Sequence, residues 1–500
     1  MAARVLLFID MREFSCYLFF VLTLSYTLSG QSASQFNKAQ ADYYNFQYVS
    51  AIEGFQPFLK PTTKFSIKAN YYTSMSYFEH GQLSEALDHV IQGSNLAIEQ
   101  FGEESAEAAY GYIGYGKFYH ERHSYDTAKM FYQAALSLID SKDQLVLGEI
   151  YSNLGYAMDF NGEYDSALIY YQKAADVMEA ELGLYHTYTD WLYASMPYVA
   201  TNAAAYDRGV KVALKSLEIK KELWGEFSED HVFALRAVAV AYEYAEDYNA
   251  MLDYATKLVE LGKKLFGETS LEYANYLKIK GSAHFGLLDY REATNHFEKA
   301  FEINKKLAGS KDGKTLAYLD ALADAWYGYG KFDEALNLCQ QYLTTVSKSG
   351  EQEAVIEKLE DVAKCYEGKG NVVEARKYYM KAMNLKSSGF EHLLPTSFIS
   401  LARLEESSQN FVQAGLYLQK AVEANQDFNH NDQATYSFIL NNQGVLLRNM
   451  NKYNQALLKL QEALAIREHL FGTQSRQYAQ TCNGIGNVYH FIGKDNLALD

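Results

Sequence analysis

The sequence predicts an all-α protein built from copies of one antiparallel helix pair, and three observations lead to this fold class. An aromatic residue recurs three positions before a small residue, as in Tyr164 and Ala167. Such pairs return every 39 to 42 residues along most of the 500-residue chain. The chain holds only 4 Pro, while 48% of its residues are apolar, which favours uninterrupted helices in a folded protein. An array of repeated helical hairpins is therefore expected.

Each copy can be placed by the small residue that opens its second helix, here called the anchor. A second small residue lies twelve positions before most anchors, so we expect the two helices to approach closely. A glycine five positions before the anchor, such as Gly162, should end the first helix in a left-handed conformation. The anchors of the eleven copies are Ala86, Ala128, Ala167, Gly209, Met251, Ala293, Ala335, Ala375, Ala414, Ala456 and Ala498.

The array is predicted to occupy residues 66–500. Residues 31–65 match no copy and are predicted to form an N-terminal capping helix followed by a linker, because a terminal repeat lacks a neighbour on its outer face. The eleventh unit stops two residues after its anchor, so we expect it to be truncated and the natural protein to continue beyond residue 500. Pro197 should kink the first helix of the fourth unit, and Gly209 and Met251 predict looser packing in units four and five.

Residues 1–30 have the features of a secretory signal peptide. A mostly apolar run covers residues 14–28, with Arg12 before it and small residues after it. This run is shorter than the roughly 20 residues that span a bilayer. We therefore expect export to the periplasm or the exterior, with no membrane span in the mature chain. An uncleaved anchor formed by residues 14–28 is the alternative, and either Met1 or Met11 could be the start.

Composition and motifs favour a binding protein over an enzyme. The formal net charge of −17 argues against nucleic acid as a partner, since phosphate contacts need a basic surface. His120, Glu121 and His123 lack the spacing of a zinc-binding helix, and His123 replaces the turn glycine, which predicts a surface turn. No nucleophile elbow, catalytic triad or phosphate-binding loop is recognisable. We predict no catalytic residues, no metal and no cofactor within residues 1–500.

The four cysteines do not form a disulfide framework. Cys16 lies in the predicted signal peptide, and the other three are Cys339, Cys365 and Cys482. Cys339 and Cys482 fall at core positions of the repeat, where a small buried apolar side chain is expected. A bridge between Cys339 and Cys365, which lie in neighbouring repeats, remains open.

The array resembles the tetratricopeptide repeat (TPR), in its 42-residue kinesin-light-chain-like form. The resemblance rests on the small residues at three positions, on the Gly-x-Tyr-x-x-Ala turn, and on the Leu-Phe-Gly exit at residues 265–267 and 470–472. It covers residues 66–500. The fold that it implies is a right-handed superhelix, and the function that it implies is protein binding.

The same resemblance implies which side chains line the concave groove. These are the first-helix residues 15 and 11 positions before the anchor. Asn441, Asn483 and Asn487 would act as clamps for a peptide backbone, because an amide both donates and accepts hydrogen bonds. Arg236, Lys278 and Arg403 would meet an acidic partner. Tyr156 and Tyr198 fall at the same positions.

Two functional hypotheses follow from the resemblance. In the first, the chain is a non-catalytic scaffold that binds a peptide or a partner domain in its groove. In the second, it is the sensing or regulatory region of a longer protein with a C-terminal effector, because arrays that look like this precede caspase-like CHAT proteases, histidine kinases or transcription regulators. Sequence beyond residue 500 would distinguish the two hypotheses.

Overall fold

The computed structural model describes residues 32–61, 65–348, 351–386, 390–428, 432–473 and 475–499, which form helices and turns with no strand among them. The predicted signal peptide lies outside these residues. Two compact units divide the chain after Leu265. The helices that begin in the first unit are α1 (32–44), α2 (Tyr48–Phe55), α3 (Ser66–Glu79), α4 (Leu83–Phe101), α5 (Ala108–Glu121), α6 (Tyr125–Leu138), α7 (Gln144–Phe160), α8 (Tyr164–Leu182), α9 (Thr187–Asn202), α10 (Tyr206–Trp224), α11 (Glu229–Tyr244) and α12 (Tyr248–Phe266).

The second unit continues the same alternation of first and second helices. Within it, each helix packs on the helices that precede and follow it in the chain. Its helices are α13 (Leu271–Gly286), α14 (Tyr290–Ala308), α15 (Gly313–Gly328), α16 (Phe332–Val346), α17 (Gln352–Gly368), α18 (Val372–Lys386), α19 (Leu394–Ser407), α20 (Phe411–Phe428), α21 (Gln433–Asn449), α22 (Tyr453–Phe471), α23 (Arg476–Phe491) and α24 (Asp495–Leu499). The predicted all-α array of helix pairs is confirmed.

The turn inside each helix pair has one geometry in all eleven copies. The residue five positions before every anchor has a positive φ, and it is glycine in five copies, with Gly162 at 77°. The next amide closes the turn, since Glu163 N–H donates to the carbonyl of Met158 over 2.8 Å. This pattern is a Schellman-type helix end. Six copies place a residue with a Cβ at this position, including His123, Leu288 and Asn451.

Close contact between paired helices depends on the small residue twelve positions before the anchor. A Cβ built on Gly155 would lie 3.0 Å from the ring of Tyr171 on the second helix. A Cβ on Gly281 would lie 2.7 Å from the ring of Phe297. Because interiors are close-packed, these glycines leave the space that the facing ring fills.

Three of the junctions between successive repeats are short turns with a cap on each side. Gly225, Gly267 and Gly472 end second helices with φ between 75° and 82°. Three residues later a serine caps the next first helix, as when Ser270 Oγ accepts from the amide of Tyr273 at 3.1 Å. Such caps satisfy amides that have no partner within the helix. The predicted Leu-Phe-Gly exit is therefore the first half of a Gly-x-x-Ser junction.

The segment before the array contains two helices, where the sequence predicted one. Phe46 has a φ of 59° and turns the chain between α1 and α2. A short 3₁₀ turn follows at Gln56–Phe58. The sequence gives no Gly or Pro signal at this turn, so the break was not predicted. The segment packs on α3 through Phe36, Phe55 and Tyr72.

Three local expectations can be compared with the structure. Pro197 lies inside α9, which runs unbroken from Thr187 to Asn202. Gly209 fits beside it, since a Cβ there would meet Ala200 Cβ at 3.3 Å and the Pro197 carbonyl oxygen at 3.7 Å. Met251 is fully buried.

The expectation of a buried Cys482 was wrong, because this residue lies on a face of α23 that the described part of α24 leaves open. Cys339 and Cys365 are free, buried thiols in one apolar cluster. No helix among the described residues combines the length and apolarity that crossing a bilayer requires.

Candidate functional site

The first helices of the first four repeats and the α1–α2 turn enclose a cavity of 480 Å³, which we call the N-terminal pocket. The residue eleven positions before the anchor lines it in three successive repeats, as Met75, Lys117 and Tyr156. The predicted groove residue Tyr156 is thus part of a real concavity. Met75 and Lys117 lie at the same position of the two preceding repeats. They would have been predicted if the assignment of groove residues had been extended to those repeats.

Six aromatic rings line the N-terminal pocket. Three of them come from the N-terminal segment and three from α7 and α9. Ring centroids of Phe46 and Tyr188 lie 5.9 Å apart, and those of Tyr188 and Trp191 lie 5.7 Å apart. Thr187 Oγ1 also donates to the carbonyl of Tyr44 over 3.4 Å, which ties the segment to the start of α9. The six rings are Tyr43, Phe46, Tyr48, Tyr156, Tyr188 and Trp191.

Charged groups stand on the α3 and α5 side of the pocket. Lys117 Nζ lies 2.7 Å from Glu79 Oε1 and 3.2 Å from Glu121 Oε1. Burial alone would lower the pKa of Lys117, but the two carboxylates outweigh it and raise that pKa. His120 is buried against Tyr156, and burial together with the Lys117 charge lowers its pKa to about 3. The predicted surface turn therefore holds for His123, whereas His120 faces inward.

Glu149 is the least expected group in the pocket. Its side chain is 2% exposed, and burial raises its pKa to about 8 although nearby tyrosine hydroxyls oppose the shift. The Tyr71 hydroxyl donates to Oε2. Within the described part of the chain, Oε1 of Glu149 accepts no hydrogen bond, and Nδ1 of His120 has no hydrogen-bond partner. A buried acceptor without a donor is costly, so a ligand that donates hydrogen bonds to these two atoms would remove that cost.

The predicted groove residues outside the pocket fall into two groups. Arg236, Tyr198 and Arg403 are exposed, Tyr198 to 69%, and Lys278 is half-buried. Asn441 is buried, and its side-chain oxygen accepts a hydrogen bond from Thr481 Oγ1 at 3.2 Å. The Asn441 side-chain oxygen, which a peptide clamp would use to accept from a peptide N–H, is therefore already bonded within the protein.

Asn483 and Asn487 are exposed on α23 and face each other across one helical turn. Asn487 Nδ2 donates to Asn483 Oδ1 over 3.3 Å. Both line a shallow cavity of 580 Å³ together with Cys482 and His490. Their prediction as backbone clamps stays open. Over the described ranges, no group of three or more His, Cys, Asp or Glu side chains is arranged to hold a metal ion.

These features define the chain as a helical-hairpin repeat protein with a surface suited to binding. The family model of the tetratricopeptide repeat matches residues 105–180 and 230–306, and a second model of that repeat matches residues 439–477. The intervening units keep the same register and turn geometry. These matched segments are tetratricopeptide repeats, as predicted, and the chain as a whole is similar to that family.

Comparison with solved structures finds this fold in the apo form of RapI and more distant similarities in other proteins. The apo form of RapI is 16% identical, with a TM-score of 0.50 over 71% of this chain and 98% of that one. BtubC (BKLC) from P. vanneervenii is 16% identical, with a TM-score of 0.37 over 46% of this chain and 92% of that one. A signal transduction ATPase with a tetratricopeptide-repeat sensor from Pyrococcus horikoshii is 16% identical, with a TM-score of 0.45 over 71% and 54%. No curated protein matches the sequence.

Proposed function

We propose that the chain is a non-catalytic scaffold that binds a peptide or a partner domain along the exposed face of its first helices. The observation that carries this proposal is the N-terminal pocket, in which four successive first helices present side chains to one concavity. Exposed Arg236, Arg403, Asn483 and Asn487 at the corresponding positions of other repeats support it. Concave, partly aromatic sites with a few polar groups are typical of ligand binding.

A capture experiment with defined variants tests the scaffold function. The immobilised chain should retain a partner from the cells that produce it, and Asn483→Ala combined with Asn487→Ala should reduce that retention. The matched control is Gln461→Ala, an exposed amide on the second helix α22. Helicity should be equal in all three proteins. Full retention by the double variant would reject the α23 surface as part of the groove.

The site of action is a separate proposal. We propose that residues 1–30 direct export and are removed, so that the scaffold works outside the cytoplasm. N-terminal sequencing of the mature protein tests this. A mature N-terminus near residue 31 is the expected result, whereas an N-terminus at Met1 or Met11 would favour the anchored alternative.

A further inference from the structure

The strongest unassigned feature is the chemistry of the N-terminal pocket. We propose that it receives a cation, an alkylammonium or guanidinium group, which donates to Glu149 and lies against the aromatic wall. We further assign this cation to a lysine or arginine side chain of the bound peptide, and in this respect the inference rests on the proposed function. The contacts of three groups lead to this ligand.

The first group is the buried carboxyl of Glu149. Oε2 accepts a hydrogen bond from Tyr71, and the nearby hydroxyls of Tyr44 and Tyr43 act to lower the pKa of this carboxyl. Oε1 has no donor within hydrogen-bond distance among the described residues. A ligand that fits here must therefore bring N–H or O–H groups. Charge-assisted bonds from a cationic donor are stronger than neutral ones, and they would also compensate the buried negative charge.

The second group is the set of aromatic rings. Tyr156, Tyr188 and Trp191 line the pocket, and Trp191 is partly exposed at its mouth. The faces of such rings attract ammonium and guanidinium groups when these come within about 6 Å of the ring centroid. An anion placed against the same faces would be repelled.

The third group sets the sign of the local charge. Among the described residues that line the pocket, Lys117 is the only lysine or arginine, and it is already held by the carboxylates of Glu79 and Glu121. His120 is neutral near pH 7, because its pKa is lowered to about 3. Carboxylates thus outnumber ammonium groups even before Glu149 is counted. This balance favours an incoming cation and disfavours a phosphate or carboxylate ligand.

Binding should be linked to release of one proton from Glu149. With a pKa raised to about 8, this carboxyl is mainly protonated at neutral pH, and the cation requires its ionised form. Affinity should therefore rise with pH, about tenfold per unit below that pKa, and level off above it.

The other titratable groups that face Glu149 do not obscure this linkage. From the N-terminal segment they are Tyr43, Tyr44 and Tyr48, and from α3 they are Tyr71, Tyr72 and Glu79. Burial raises the pKa of each of these tyrosines, so they remain neutral.

The remaining elements contribute four more titratable groups. The group from α9 is Tyr188, whose pKa burial also raises. The groups from α5 are Lys117 and His120, and Asp143 precedes α7. The pKa of Lys117 is raised and that of His120 is lowered, so neither changes charge between about pH 6 and 9.

Isothermal titration of the chain with four probes tests the proposal. Three are capped glycine pentapeptides with a central lysine, arginine or norleucine, and the fourth is n-butylamine. We expect the lysine and arginine peptides to bind at least about tenfold more tightly than the norleucine peptide at pH 8.5. Titration in buffers of different ionisation enthalpy should show release of close to one proton per ligand at pH 7.

Two variants and one control assign the effect to the pocket. Glu149→Gln keeps an acceptor for Tyr71 but cannot ionise, so it should abolish both the preference for a cation and the proton release. Trp191→Leu should weaken binding of both cationic peptides while the proton release is kept. Glu181→Gln, an exposed carboxylate on α8, is the control and should change neither.

Each outcome separates the pocket chemistry from the scaffold function. Equal affinity for the lysine and norleucine peptides would overturn the cation while leaving peptide binding intact. Binding of n-butylamine alone, dependent on Glu149, would keep the cation site but reject the peptide as its carrier. Absence of binding by all four probes at millimolar concentration would overturn the site, and so would a Glu149→Gln variant that behaves as the original.

Discussion

At the scale of single residues, the turn in six of the repeats holds a residue with a Cβ in a strained, left-handed conformation. Leu288 has a φ of 62° at the turn position and is 69% exposed, so its side chain contributes little to the core. The left-handed conformation costs a residue with a Cβ roughly 1–2 kcal/mol. Glycine avoids this cost, but it loses more conformational entropy on folding, which cancels part of the gain. Leu288→Gly should therefore raise stability by about 1 kcal/mol, measured as a higher midpoint of urea denaturation.

The reciprocal variant provides the control for this position. Gly330 has a φ of 77° in the next repeat, and a Cβ built on it would meet no atom within 4 Å. Gly330→Ala changes only the backbone preference and should lower the midpoint by a similar amount. A Leu288→Gly variant with an unchanged or lower midpoint would show that the turn is not strained there.

The turn also shows how far the sequence could be interpreted at residue scale. Gly162 and its four equivalents predicted the left-handed position, and His123 was recognised at the same place. Ala204, Glu246 and Leu288 carry no such preference, and their conformation is imposed by the packing of the helices on either side. The identity of these residues does not predict the left-handed conformation, whereas their position five residues before the anchor does.

At the scale of the helix pair, a glycine inside a helix is required where the facing helix comes close, and it is destabilising where the space beside it is open. Gly281 lies inside α13, where an added Cβ would be 2.7 Å from Phe297. Gly415 lies inside α20, where it would meet only Leu446 Cδ2, at 3.9 Å. Gly281→Ala should cost about 1–3 kcal/mol by overpacking. Gly415→Ala should stabilise by up to about 1 kcal/mol through helix propensity.

Both variants replace glycine by alanine within a helix of the second unit, so their difference isolates the helix–helix contact. Denaturation midpoints followed by circular dichroism provide the measurement. Equal shifts in the two variants would mean that propensity, and not close approach, dominates at Gly281.

The same scale shows why the N-terminal pocket was only partly predicted. The resemblance to the tetratricopeptide repeat, applied to the register of the first helices, implied that Tyr156 lies on the inner face. It could not show that Phe46 meets Tyr188, or that the Tyr44 carbonyl binds Thr187, since these contacts join segments about 140 residues apart without a repeating pattern. The burial of Glu149 was also not predicted, because charged residues are ordinarily exposed.

At the scale of the whole molecule, a repeat array should transmit a local defect only to neighbouring repeats. Arg467 on α22 provides a test, because it is fully buried and bonds both neighbouring first helices. Its guanidinium donates to Ser437 Oγ at 3.4 Å, to the Gln477 carbonyl at 2.8 Å and to Thr481 Oγ1 at 2.7 Å. The ring of Phe438 lies 4.5 Å away. This side chain therefore joins α21, α22 and α23.

Arg467→Ala should leave a cavity and unmade hydrogen bonds, at a cost of roughly 3 kcal/mol. Because stability in solenoids is a sum of repeat and nearest-neighbour terms, the loss should be confined to adjacent repeats. Hydrogen exchange should show faster opening of α21–α23 and unchanged protection of α13–α16, which lie several repeats away in the same unit. Faster exchange throughout α13–α16 would show that the second unit opens as one cooperative body, and the nearest-neighbour description would then fail.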